Sequence, residues 1–143
     1  VLDRSVCAGA EGLLKGAYIL CREKGARPDV VLMASGSEVH LILQARQQLA
    51  LDGVDARVVS MPSWELFLEQ SPSYRDEVLP PTVRARLAVE AGSPLGWRDW
   101  VGDGGDVMSI TTFGASAPYK VLFEHYGLTV HHVVERAREL LDS

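Results

Sequence analysis

At 143 residues, 47% of them apolar and 23% charged, the chain has room for one core of ordinary size and is too apolar for disorder. Two full-sized domains around a cleft are excluded on length. A net charge of -5, with no basic run, argues against binding nucleic acid or an anionic membrane.

The chain begins at Val1 with no initiator Met, so it is expected to be either processed or a piece of a longer polypeptide. No basic, apolar leader opens it, and the longest apolar runs are about five residues, against the roughly 18 that a span requires. The expected compartment is the cytoplasm. Cys7 and Cys21 lack metal-ligand or redox spacing and are expected to be reduced thiols.

Residues 1–14 are rich in Ala and Gly without periodicity and read as a linker or entry segment, with the domain proper at 15–143. Ala17 to Leu20 is a short apolar strand. Val30 to Ala34 is a continuous branched run, as expected for a strand buried on both faces of a parallel sheet. Ser35 and Glu38 have capping-box spacing, so Ser35 is expected to cap a helix running to about Leu51 and stopped by Asp52-Gly53.

Ala56 to Ser60 is the next strand, ended by Met61-Pro62. Pro72, Pro80 and Pro81 punctuate short helices and turns. Arg86 to Glu90 and Val107 to Ile110 are strands on either side of a loop carrying Trp97 and Trp100. A helix from Ser116 to Tyr126 is followed by another capped by Thr129. Its Val130, Val133, Val134, Ala137, Leu140 and Leu141 form one apolar stripe.

Strands alternating with helices point to a three-layer α/β/α domain with a mostly parallel sheet. Such sheets bind ligands beyond their carboxyl ends, where strand order reverses. The candidate crevice is therefore formed by Ser35, Gly36, Ser37 and Glu38 with Glu90 and Gly92. A helix start after Ser35 favours an anion, but Glu38 sits in that first turn and no Lys accompanies it. A plain cap is the better reading.

Other motifs are weaker. Gly102-Asp103-Gly104 precedes a strand and lacks the third glycine of a dinucleotide fingerprint. Gly114-Ala115-Ser116 lacks the last glycine of a nucleophile elbow, so Ser116 reads as a helix cap. His131 and Glu135 stand at i, i+4, which suits a solvated helix face better than a metal site. Trp64, Trp97 and Trp100 supply either interface anchors or a roof for the core; Trp97 and Trp100 are the interface candidates. No catalytic, cofactor-binding or metal-ligating set emerges from the residues.

Several ordered segments resemble the C-terminal domain of the transketolase family. They are Ala34-Ser35-Gly36-Ser37-Glu38-Val39, Ala56-Arg57-Val58-Val59-Ser60-Met61-Pro62-Ser63, Glu77-Val78-Leu79-Pro80 and Ala88-Val89-Glu90-Ala91-Gly92. Further on come Thr112-Phe113-Gly114-Ala115-Ser116-Ala117-Pro118 and Gly127-Leu128-Thr129-Val130. The resemblance implies a five-stranded, mostly parallel mixed sheet with one antiparallel strand. It also implies an architectural role: packing on a middle domain and helping to build a homodimer.

The complete enzyme of that family moves a two-carbon ketol unit between sugar phosphates in the pentose phosphate pathway. It uses thiamine diphosphate and magnesium held by its other domains, so the resemblance transfers no catalytic residue. The family's phosphate-gripping arginine is not matched by Arg4, because Leu2-Asp3-Arg4-Ser5 lacks the Gln of that motif. The alternatives are an independent anion-sensing α/β module, or the matching domain of another thiamine enzyme. For the latter, a 2-oxoacid dehydrogenase β-subunit and deoxyxylulose phosphate synthase are the examples.

Overall fold

The computed structural model describes residues 14–91, 95–109 and 129–142. In chain order these form β1 (Tyr18–Cys21), β2 (Val30–Ala34), a 3-10 turn (Gly36–Glu38), α1 (Val39–Leu51), β3 (Ala56–Ser60), α2 (Trp64–Leu68) and α3 (Pro72–Val78). Then come β4 (Arg86–Glu90), α4 (Arg98–Val101), β5 (Asp106–Ser109) and α5 (Val130–Asp142). The expected helix at Ser116 to Tyr126 and the end of the last strand, Ile110, lie outside the described residues.

The strands form one sheet in the order β1-β3-β2-β4-β5. Neighbours from β3 to β5 are parallel, with Leu32 opposite Val58 on one side and Leu87 on the other. Strand β1 runs antiparallel to β3, with a bulge between Ile19 and Cys21. The sheet is thus the expected five-stranded mixed one.

Both faces are covered, and strand parity divides the core. Val30, Leu32, Ala34, Val58, Leu87 and Val89 face α1 and α5. Val31, Met33, Val59 and Ala88 face α2, α3 and α4, where Phe67 and Trp97 fill the layer. This is why β2 reads as an unbroken apolar run: each residue is buried, only on alternate sides.

On α5, Val133, Val134 and Ala137 are buried as the stripe requires, and Thr129 caps the helix by accepting from the His132 amide at 3.2 Å. Ser63 caps α2 by accepting from the Leu66 amide at 3.3 Å. Ser63→Ala is expected to cost about 1 kcal/mol, read as a lower urea midpoint at unchanged slope.

Two expectations are corrected. Helix α1 is not capped by Ser35: Gly36 takes φ of 61°, a 3-10 turn intervenes, and Glu38 stands at the cap position without a side-chain cap bond. Cys21, 1% exposed, is disulfide-bonded and not a reduced thiol; its partner lies outside the described residues. No described helix is long and apolar enough to cross a membrane.

Candidate functional site at the sheet switch point

From β2 the chain turns to β3 on one side, and β4 later pairs with β2 on the other. The carboxyl ends of β2 and β4 therefore flank the point where strand order reverses. Ser35, Gly36 and Glu38 follow β2, and Glu90 ends β4, so the fold brings these expected residues together. The backbone of Ser37 lies in the 3-10 turn, and Gly92 is outside the described residues.

The geometry there is a clasp. The Glu38 carboxylate accepts from the Ala91 amide at 3.3 Å, bridging the loop after β2 to the loop after β4. This contact replaces the capping box expected of Glu38. The Glu90 carboxylate accepts from the Trp97 indole N–H at 3.0 Å. Two carboxylates at the same end of the sheet disfavour a bound anion, and both tie loops together there.

Trp97 is a core side chain, 1% exposed. Its ring meets Trp64 edge-on at 5.0 Å, and Trp64 and Phe67 each lie close to Trp100. Trp64 and Trp100 are half-buried, so these two reach the surface of this layer. The Tyr74 hydroxyl donates to the Ala17 carbonyl at 2.8 Å, and Lys15 sits over the Tyr74 ring. The entry into β1 is thereby fastened to α3.

A second polar feature was illegible from spacing. Arg57, in strand β3 between β1 and β2, donates through Nε and Nη2 to both oxygens of Glu23 at 2.8 and 2.7 Å. Both side chains are under one tenth exposed. Arg57 also donates to the carbonyls of Glu77 and Val78, at the end of α3.

Arg86 donates to the carbonyls of Leu79, Pro80, Val83 and Trp100, gathering loops at the opposite end of the sheet. Burial lowers its pKa, and the charge of Asp76 offsets part of that. A cavity of about 160 Å³ lies beside it, lined in part by Arg84, Gly102, Asp103 and Gly104. The Gly102-Asp103-Gly104 segment is thus a close-packed turn: a Cβ on Gly104 would lie 3.0 Å from the Arg84 carbonyl oxygen.

His131 pairs with Glu135 at 3.3 Å on the exposed face of α5, as its spacing suggested. Among the described residues no group of three His, Cys, Asp or Glu side chains could hold a metal. A diphosphate would meet Glu38 and Glu90 at the switch point, so the described residues do not fit thiamine diphosphate with its metal.

The model of the transketolase-like TK C-terminal domain matches residues 16–129. The transketolase of Halalkalibacterium halodurans is 50% identical over 142 residues, covering 99% of this chain and 21% of that protein. The Bacillus subtilis transketolase is 44% identical over the same share of each. Among solved structures, the Leishmania mexicana transketolase superposes with a TM-score of 0.77 at 38% identity, over 94% of this chain and 19% of the other. The chain thus spans about one fifth of the length of the relatives it matches. The match runs through β1 to the start of α5, over the clasp and both core layers, and the chain belongs to the transketolase C-terminal domain family.

Proposed function

We propose that the chain is the non-catalytic, architectural C-terminal domain of a cytoplasmic transketolase. The parent enzyme transfers a two-carbon ketol unit between sugar phosphates of the pentose phosphate pathway and works as a homodimer. Thiamine diphosphate and a divalent metal are held by the domains that the relatives carry beyond the matched fifth. The cofactor supplies the electron sink for the ketol carbanion. This domain supplies a rigid body for assembly.

One observation carries the reading: half the residues are identical across 99% of this chain, yet the match covers only 21% of the relative. The clasp supports it, since Glu38 and Glu90 are engaged in binding loops together. The same carboxylates weigh against an independent anion sensor.

The chain alone, given thiamine diphosphate, magnesium, a ketose phosphate donor and an aldose phosphate acceptor, is expected to show no ketol transfer. Grafted in place of the matching segment of the Bacillus subtilis relative, it is expected to support turnover. Turnover by the isolated chain overturns the non-catalytic role, and a folded but inactive graft overturns the architectural one.

A further inference from the structure

At the amino end of the sheet, opposite the switch point, two arginines stand beside one cavity without a carboxylate partner. The cavity, of about 160 Å³, lies between Arg84 and Arg86 at the entry to β4 and the Gly102-Asp103-Gly104 turn before β5. Among the described residues no Asp or Glu is within ion-pair distance of either arginine.

Arg86 is held in place by backbone. Its Nε donates to the Val83 carbonyl, and Nη2 to those of Leu79 and Pro80. One Nη1 hydrogen goes to the Trp100 carbonyl, and the other has no acceptor among the described residues. Carbonyl dipoles fix the head group without neutralising it. Its pKa, lowered by burial, is that of a cation short of counter-charge.

Arg84 is exposed, and its side chain runs along the turn: a Cβ on Gly104 would lie 3.3 Å from the Arg84 Nε. Its guanidinium makes no hydrogen bond among the described residues. The acids nearby do not compensate the pair. Asp106 is engaged by Arg98 and Arg136. Asp76 acts on Arg86 from beyond ion-pair distance. Asp103, exposed, is the one acid among the described lining residues.

Two cations against one rim carboxylate leave net positive charge in a concave site, which attracts anions. Guanidinium forks match the oxygens of a phosphate. The volume equals that of about five waters at about 30 Å³ each. It is well below the roughly 300 Å³ at which pockets enclose whole small molecules. One phosphate group fits such a space, and a nucleotide does not.

We infer that the Arg84–Arg86 cavity is a subsite for a single phosphate group, free or on a small monoester, separate from the clasp at the switch point. The turn closes one side of it and Arg86 is already oriented, so Arg84 is the group that moves onto the ligand.

The test titrates the chain with inorganic phosphate, at ionic strength held constant with chloride, and follows amide and arginine Nε resonances. Saturable shifts are expected at Arg84, Arg86 and residues 102–104. Arg84→Ala is expected to weaken binding by about tenfold or more. It is expected to leave the melting temperature within about 2 °C, since the side chain has no partner to lose. Arg27→Ala removes the same charge from another exposed position and is expected to change affinity by less than about twofold. Acetate, with a single charge, is expected to bind about tenfold or more weakly than phosphate. A parallel titration with glycerol phosphate separates the two sources, and saturable binding of either supports the subsite.

Shifts that never saturate with either compound, or that chloride alone produces, overturn it. So does equal weakening by Arg84→Ala and Arg27→Ala, which would mean that net charge alone is read. Acetate binding as tightly as phosphate overturns the assignment to a phosphate group.

Discussion

Glu23→Gln is expected to cost about 3–5 kcal/mol of folding stability, a figure typical of breaking a buried ion pair from one side. The reason is what remains. The Arg57 guanidinium is under one tenth exposed, and Glu23 supplies its only counter-charge within ion-pair distance among the described residues. The Glu77 and Val78 carbonyls still accept from Nη1, but dipoles do not neutralise a desolvated charge.

Replacing both partners by apolar side chains of similar volume is expected to cost far less than the sum of the single losses, because no charge is then stranded. Urea midpoints of the two singles and the double close the cycle. A loss below about 1 kcal/mol for Glu23→Gln would show that water reaches Arg57.

The same pair sets a pH dependence. Burial raises the Glu23 carboxyl, but hydrogen bonds from Arg57 and the backbone, with the charges of Arg57 and Arg22, outweigh it and leave it below its ordinary 4.5. Near that pH the unfolded chain then binds more protons than the folded one, so stability rises with pH. The contribution is complete above 4.5 and is lost as pH falls through the lower folded value. Stability of Glu23→Gln is accordingly expected to fall less steeply below pH 4.5 than that of the parent chain.

How this pair escaped the sequence shows where local reading stops. Val30 to Ala34, Ala56 to Ser60 and Arg86 to Glu90 were legible as strands to the residue, because each has a short apolar centre that the sheet buries on both faces. That the loops after β2 and β4 meet followed from topology alone. How they are tied together did not. Glu38 has the spacing to bond back to Ser35, but its carboxylate reaches an amide 53 residues away, which only the β2–β4 pairing brings near. Arg57 and Glu23, 34 residues apart, meet only because β1 returns antiparallel along β3.

Trp97 also has its role decided by tertiary context, since a loop tryptophan fits interface and core equally. Here the bond to Glu90 and the ring of Trp64 turn it inward. That Gly102-Asp103-Gly104-Gly105 is a turn ahead of a strand was legible, for the order of turn and strand is local information. The turn's tight contact with Arg84 and Arg86 is not.

Gly16→Ala is expected to destabilise the domain by about 3 kcal/mol or more, whereas Gly53→Ala costs about 1–2 kcal/mol. The two glycines share a positive φ, 83° and 82°. A side chain pays the same left-handed strain at each, and the entropy that Ala removes from the unfolded chain is also the same. What differs is space. A Cβ on Gly53 meets nothing within 4 Å, while one on Gly16 would lie 2.3 Å from the Ser63 carbonyl oxygen and 2.5 Å from the Phe67 amide nitrogen.

Those atoms are backbone at the start of α2, so no rotamer relieves the clash. Either α2 moves off the core, exposing the wholly buried Phe67, or the 14–17 segment lifts away. The second route breaks the Ser63 amide bond to the Gly16 carbonyl and the Tyr74 hydroxyl bond to Ala17. Urea titration of both variants gives the difference, and amide exchange at Ser63 identifies the route. Equal losses in the two variants would mean that strain alone operates and that the contact between the entry segment and α2 is soft.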